Sequence, residues 1–386
     1  MSLKRLYQRI IYEFFRAYFR LVVPLFFRVE KEGSRGYFER KMPTVVTSNH
    51  PNTLLDPILT GLNFWGQLRF LANTGLFQHP VSRWFFLWHF CIPVKRHNDP
   101  PLEGFDLERS FELSSAELHR GGAIYVAVEG TSLRGYLLRA VRYGAEKIIN
   151  DYVQHYRESV QLYNVALVYS APGKFRSRVR VIRHPVHFFD TPVKEGEITH
   201  LIEHELMPKI PHWPEVSMTE AKLVFDFLYP GASNSPDWYG QFMDFCEKRK
   251  QDEELRGRSD EILERIRQEE VIAPEHGPEV NLGYRFALIP FYWAGELLCF
   301  LPRQLLYWFI SRIDTYIEYE ATIKICVAPF LYFFYALLLL AVTGFSLWWF
   351  PLVLLILYGL ERIRKEIERV RRTKKYRADK IFRYNL

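Results

Sequence analysis

At 386 residues, with 48% hydrophobic and 16% aromatic side chains, the chain is long enough for a full globular core and an appended piece. The net charge of +7 is local, because Glu361–Leu386 hold eleven Lys/Arg against four Asp/Glu, and this excludes a general nucleic-acid-binding surface. Four scattered cysteines (Cys91, Cys246, Cys299, Cys326) form no Cys-x-x-Cys pair, which argues against a metal cage or a disulfide framework and for a reduced compartment.

In chain order, residues 5–27 read as an amphipathic helix. Arg5, Arg9, Glu13, Arg16 and Arg20 recur every three or four residues and fall on one stripe, among Leu6, Ile10, Phe14, Phe15 and Phe19. A membrane span needs ~20 mostly uncharged residues, so residues 1–28 are expected to lie on a membrane surface, arginines toward anionic headgroups. No small-residue cleavage site follows, unlike a secretory signal.

From Val29 to Asp190 strand-like and helix-like stretches alternate. Strands are expected at Thr44–Thr47, Leu68–Ala72, Cys91–Val94, Ala123–Val128, Asn164–Tyr169 and Arg178–Arg183. Helical patterns fall at Asp56–Phe64, Pro80–His89, Leu107–Arg120 and Leu137–Asn150. The alternation predicts a layered α/β domain over 29–210, a central mixed sheet flanked by helices. Residues 211–282 are read as a charged helical segment and linker. Residues 283–360 are read as membrane-associated helices, since Ile325–Leu360 carry no charged side chain and Gly344 and Pro351 divide them into a hairpin. The basic tail 361–386 then belongs on the cytoplasmic face, with the α/β domain on the same side.

Three polar clusters sit at three expected strand ends. Thr44–Thr47 is broken by Ser48 and Asn49 and presents His50, six positions before Asp56. An imidazole there suits proton removal from a hydroxyl, and a carboxylate suits holding its tautomer. Cys91–Val94 ends in Lys95 and Arg96, whose fork matches a phosphate. Val128 leads into Glu129, Gly130, Thr131 and Ser132, where the glycine is expected to permit close backbone approach. In doubly wound sheets, sites gather beyond the carboxyl ends of strands, so the three clusters are expected to share one crevice.

In that order these stretches resemble the glycerolipid acyltransferases, the family of glycerol-3-phosphate and lysophosphatidate acyltransferases. The first motif matches Asn49-His50 with Asp56, the second Ile92-Pro93-Val94-Lys95-Arg96, and the third Glu129-Gly130-Thr131-Ser132. A fourth strand and basic loop match Asn164–Tyr169 with Lys174, Arg176 and Arg178. The resemblance covers roughly 29–190. Five residues separate His50 from Asp56 where the family usually has four, as in the branch that includes fungal-type glycerol-3-phosphate acyltransferases and bacterial relatives. On a helix that extra residue would turn Asp56 by about 100°, so the turn after His50 must absorb it. The third motif lacks its Phe-Pro, and Asn73 stands where a lysine is common.

The resemblance implies acyl transfer from acyl-CoA or acyl carrier protein, with no metal or other cofactor. His50 and Asp56 would be catalytic. Asn49, Asn52, Lys95, Arg96, Glu129, Gly130, Thr131, Arg176 and Arg178 would bind substrate, with Arg96 on the acceptor's phosphate. A lipid bilayer and a phosphate-bearing glycerol or lysolipid are the expected partners, and oligomeric state is open. Two rival chemistries can be read. His200, Glu203 and His204 spell His-x-x-Glu-His, a zinc-peptidase pattern. Ser132 falls one residue short of a Gly-x-Ser-x-Gly elbow. A lipid-binding organiser without catalysis is the non-enzymatic alternative.

Overall fold

The computed structural model describes residues 3–33, 42–133, 135–173, 176–214, 216–230, 232, 235–268, 285–312 and 320–342. The chain divides into two compact units, Met1–Met218 and Thr219–Leu386.

The first unit opens with α1 (Leu3–Phe26), which runs directly into β1 (Phe27–Glu32). There follow β2 (Thr44–Ser48), α2 (Leu55–Asn63), β3 (Leu68–Asn73), α3 (Pro80–His89), β4 (Cys91–Val94), α4 (Leu107–His119) and β5 (Ala123–Ala127). After a long loop come α5 (Gly144–Tyr156), β6 (Val160–Tyr169), β7 (Ser177–Phe189) and α6 (Glu197–Leu206). The strands form one sheet in the order β1-β7-β6-β2-β5-β3-β4. β6, β2, β5, β3 and β4 are mutually parallel; β7 is antiparallel to β6, and β1 is parallel to β7. The expected α/β layering with a mixed sheet is therefore what this unit has.

β2 lies at the centre, with all five residues buried, and β6 is buried along all ten of its residues. Burial of this kind suits strands covered on both faces, where each Val or Leu contributes about 1.5–3 kcal/mol. Polar residues inside these strands are paired laterally. Thr47 donates to Asn164 Oδ1 at 2.5 Å, and Asn164 Nδ2 donates to Glu205 of α6 at 2.6 Å.

Three features differ from the sequence reading. β1 is an edge strand whose Glu30 and Glu32 find their partners in β7, where Arg178 pairs with Glu30 and Arg180 with Glu32. Those partners are about 150 residues away, so local pattern could not expose the strand. The expected helix from Leu137 begins only at Gly144, because Tyr136 is drawn into a bridge with Trp213 and the loop after it is held by the third motif. In α1, Arg16 points inward. Its guanidinium donates to the carbonyls of Phe64 at 2.7 Å and Trp65 at 3.3 Å, tying α1 to the α2–β3 turn. Tyr12 accepts the Leu68 N–H at 3.1 Å on the same face. α1 turns outward both charged residues (Lys4, Arg5, Arg9, Glu13 and Arg20) and apolar ones, including Leu3, Ile10, Phe14, Leu21 and Leu25.

In the second unit, α7 (Met218–Leu228) leads to α8 (Trp238–Gln251) and α9 (Glu253–Arg267), the last two separated where Asp252 caps α9 by accepting from Glu254 and Leu255. α10 (Arg285–Arg312) and α11 (Glu320–Val342) follow. Residues Thr322–Val342 are long and apolar enough to cross a membrane. The expected second arm of the hairpin and the basic tail lie outside the described residues, as do the linker 271–284 and Lys174.

Candidate active site

β2 and β5 end together, with Ser48 in register with Ala127, while β6 passes Val165 opposite Ser48 and runs on to Tyr169. Beyond that edge the backbone of β2 no longer pairs, and the Asn49 side chain continues the ladder instead. Its Nδ2 donates to Leu167 O at 2.9 Å and its Oδ1 accepts from Leu167 N at 2.7 Å. Asn49 is 4% exposed and fully engaged by this pairing, which fixes the direction in which the next residue leaves the sheet.

The next residue is His50. Its Nδ1 lies 3.0 Å from Asp56 Oδ2, with the carboxylate fully buried and the imidazole 18% exposed. A carboxylate accepts only, so Nδ1 carries the hydrogen and Nε2 keeps its lone pair. Asp56 sits in the first turn of α2, where the helix dipole favours negative charge. Two further donors converge on it: Asn52 N–H at 2.6 Å on Oδ2, and the Tyr169 hydroxyl at 2.7 Å on Oδ1. A buried charge is tolerated only when so surrounded. Burial and the neighbouring Asp56 carboxylate push the Tyr169 phenol well above its ordinary value, so it stays a donor. The Asn52 side chain is completely buried, and it is the backbone of this residue that serves Asp56.

The extra residue between His50 and Asp56 is absorbed in the turn. Thr53 adopts a left-handed φ of 40°, and its N–H donates to Ser132 Oγ at 2.9 Å. The first motif is thereby tied to the third, as it also is where Leu133 N–H donates to His50 O at 3.2 Å.

Glu129 ends β5 with its side chain 4% exposed. Its Oε1 accepts the His50 backbone N–H at 3.2 Å, and its Oε2 takes Arg139 Nε at 2.8 Å. Burial pushes the Glu129 carboxyl up, and Arg139 offsets this in part. Arg139 also donates to Thr131 Oγ1 at 2.7 Å. Gly130 has φ 73°, and a Cβ there would meet only Arg142 Cγ at 3.7 Å. Backbone conformation, and not the close approach expected from sequence, is what calls for glycine at this position.

Arg96 sits just beyond β4. Its Nε and Nη2 form a bidentate pair with Asp99, each at 2.8 Å, while Nη1 donates to Gly130 O at 2.7 Å. Burial alone would raise Asp99, yet the Arg96 fork holds it below the usual carboxylate range. The second motif is thus locked to the third, and Lys95 beside it is exposed.

The structure brings His50, Asp56, Asn49, Asn52, Glu129, Gly130, Thr131 and Arg96 to one sheet edge. Arg176 and Arg178 lie at the same edge, but at the start of β7, with β6 between them and β2. Arg178 is engaged by Glu30, and Arg176 donates to Phe26 O from its backbone at 2.6 Å and to Pro24 O from its side chain at 3.3 Å. Two site residues were missed from sequence, Tyr169 and Arg139, while Ser132, read there as part of the third motif, takes the Thr53 N–H. Tyr169 closes a recognised strand at this edge, which was the available signal; Arg139 was hidden within an expected helix. On α6, His200 is largely exposed, with Nδ1 3.8 Å from Glu203. The α6 carboxylate that faces the sheet is Glu205, 2.7 Å from His187 Nε2. Among the described residues, no group of three or more His, Cys, Asp or Glu is arranged to hold a metal ion.

Residues 28–167 match the family model described as Acyltransferase. Over 120 residues the chain is 29% identical to the chloroplastic 1-acyl-sn-glycerol-3-phosphate acyltransferase LPAT1 of Arabidopsis thaliana. That stretch is 31% of this chain and spans about a third (32%) of the relative's length. Among solved structures the chain is similar to the 1-acyl-sn-glycerophosphate (LPA) acyltransferase PlsC from Thermotoga maritima. The identity is 17% and the TM-score 0.41, over 56% of this chain and 85% of that one. The matched segment contains all three motifs and the strands that carry them to one edge. Residues 28–167 are thus an acyltransferase-like region, similar in sequence to the family described as Acyltransferase.

Proposed function

We propose that this protein is a membrane-bound O-acyltransferase that moves a fatty acyl group from acyl-CoA or acyl carrier protein to a hydroxyl of glycerol-3-phosphate or a lysophospholipid. The observation that carries the reading is the 3.0 Å contact between His50 Nδ1 and the buried Asp56 carboxylate, held at the sheet edge by three motifs at once. With Nδ1–H committed to Asp56, His50 Nε2 takes the acceptor's hydroxyl proton as the oxygen attacks the thioester carbonyl. The C–O bond forms, the C–S bond breaks, and the departing thiolate takes the proton from the imidazolium. Base catalysis of this kind contributes typically ~10²–10⁴-fold, and the remainder comes from positioning and stabilisation of the oxyanion.

The acceptor's phosphate is assigned to the cationic rim around Gly130. Arg96 and Arg139 flank it, each neutralised in part by its own carboxylate, and the exposed Lys95 adds a charge that pairs with no carboxylate among the described residues. Glu129 fixes the His50 backbone and shapes the site. A product carrying one or two fatty chains belongs in a bilayer, which fits the exposed apolar side chains of α1 and the length of Thr322–Val342. The test is mass spectrometry of products from the purified protein in detergent, offered a panel of acceptors and thioester donors. Wild type is expected to yield one favoured acylated phosphate-bearing product. His50→Ala is expected to lose at least ~10²-fold in kcat with an unchanged melting temperature. Turnover by His50→Ala at the wild-type rate would remove the mechanism.

A further inference from the structure

A second cleft, of about 660 Å³, lies away from the dyad. It opens beside Arg69 and Cys91, near the beginnings of β3 and β4, whereas His50 and Asp56 lie beyond the opposite ends of the parallel strands. Four cations line it, namely Lys4 of α1, Arg69 of β3, Arg83 of α3 and Arg120 at the end of α4, against the single carboxylate of Glu117. Arg120 is 3.9 Å from Glu117. Among the described residues, no carboxylate lies within ion-pairing distance of Lys4, Arg69 or Arg83. Arg69 is the deepest of them. Its guanidinium reaches only the carbonyls of Leu87 and Trp88 at the end of α3, at 3.4 and 3.5 Å. Burial pulls it below its ordinary value, and Glu117 compensates only partly. A half-buried guanidinium with donors to spare is complementary to an anion, and its fork matches a phosphate.

The rest of the lining is apolar. Trp84, Leu87, Phe105 and Leu113 face the same space, and Lys4 Nζ sits 4.2 Å above the Trp88 ring. The two helices that contribute to the cleft, α1 and α3, also carry exposed apolar side chains. Leu3, Ile10 and Phe14 of α1, with Val81 and Trp84 of α3, are each more than half exposed. Exposed tryptophans beside aliphatic side chains and cations are the composition of a surface resting at headgroup depth.

We infer that this cleft is a binding site for an anionic glycerophospholipid of the bilayer, its phosphate on Arg69 with Lys4 and Arg120, and one acyl chain along Trp84, Leu87 and Phe105. The occupant is a lipid and not a soluble phosphate because the cations share the cavity with an apolar wall long enough for a chain. Charge complementarity selects an anionic headgroup over a zwitterionic one, since among the described residues three of the four cations have no carboxylate to neutralise them. Bound there, the lipid holds α1 and α3 at one depth and so sets the height of the sheet's opposite edge above the bilayer. The site is independent of the chemistry proposed for His50.

Native mass spectrometry of the full chain in detergent, offered phosphatidylglycerol or phosphatidylcholine of equal chain length, tests this. One phosphatidylglycerol is expected to be retained in preference to phosphatidylcholine by about tenfold or more. Arg69→Gln is expected to weaken it by about tenfold, the loss of a hydrogen-bonded charge, while Arg9→Gln on the exposed side of α1 changes nothing. Should Arg69→Gln fold poorly, the double variant Lys4→Gln/Arg120→Gln at the mouth is expected to give the same loss. Equal retention of the two lipids would overturn the proposal. So would equal losses in Arg69→Gln and Arg9→Gln, which would mean diffuse surface charge, or displacement by inorganic phosphate alone.

Discussion

At the scale of single residues, the site depends on a donor count around Asp56. The carboxylate is fully buried and accepts from His50, the Asn52 N–H and Tyr169. Of the three donors, Tyr169 is the one that belongs to the sheet. Its hydroxyl is carried by the end of β6, its carbonyl accepts from Tyr136 Oη at 2.6 Å, and its ring packs on Phe27 at 5.7 Å between centroids. Tyr169 therefore sets the carboxylate plane that His50 reads. Tyr169→Phe keeps the ring and removes one hydrogen bond to a charged group, worth about 1.5–3 kcal/mol. Steady-state kinetics should give a kcat lowered by about tenfold to a hundredfold with the acceptor's KM unchanged, because substrate binding groups are untouched. A raised KM with normal kcat would place Tyr169 in binding instead.

At the scale of elements, two connections carry the geometry. The His50–Asp56 turn is one residue longer than the family's usual form, and Thr53 takes the strain with φ 40°. A β-branched residue in that region costs roughly 1–2 kcal/mol, while glycine costs ~0.5–1 kcal/mol through the unfolded chain. Thr53→Gly should then raise stability by up to about 1 kcal/mol in denaturant melts, provided the Ser132 contact persists, since it involves only the Thr53 backbone. The other connection is β1, held on the sheet edge by Glu30 and Glu32 against Arg178, Arg180 and Lys209. Burial alone would raise Glu32, but the hydrogen bond and charge of Arg180, helped by Lys209, lower it. A carboxylate depressed on folding contributes stability above its unfolded value and loses it as pH falls through the folded one. Arg180→Gln is expected to lower the melting temperature at neutral pH. It should also flatten the fall in melting temperature between about pH 5 and pH 3, followed by calorimetry.

At the scale of the molecule, α1 and α11 both expose large apolar side chains. α1 exposes Ile10, Phe14, Leu21 and Leu25, and α11 exposes Phe333, Phe334 and Leu338 within a 21-residue apolar stretch. A helix of that length spans about 30 Å, the thickness of a hydrocarbon core. Full-length protein in isolated membranes is expected to stay in the pellet through both high salt and alkaline carbonate. Release by salt alone would mean that only surface charge holds it.

Much of this was legible without coordinates, for identifiable reasons. α3 and β4 begin and end where the pattern places them, since Pro80 starts the helix and the apolar run Cys91–Val94 has turn residues on both sides. The meeting of three motifs at one edge follows from strand polarity, which alternating β and α segments already imply. β1, Arg139 and Tyr169 were not legible. Each acts through a partner 10 to about 150 residues away, and no local period encodes such a pairing.

By itself the sequence determined the layered α/β class, the order of the motifs and the residue types at the strand ends, because these depend on local preference and spacing. Only the tertiary structure decided which cations are already neutralised, which way Arg16 of α1 faces, and which hydroxyl holds Asp56. Those outcomes depend on where a buried charge finds its nearest donor, a distance in space that the order of residues along a chain does not contain.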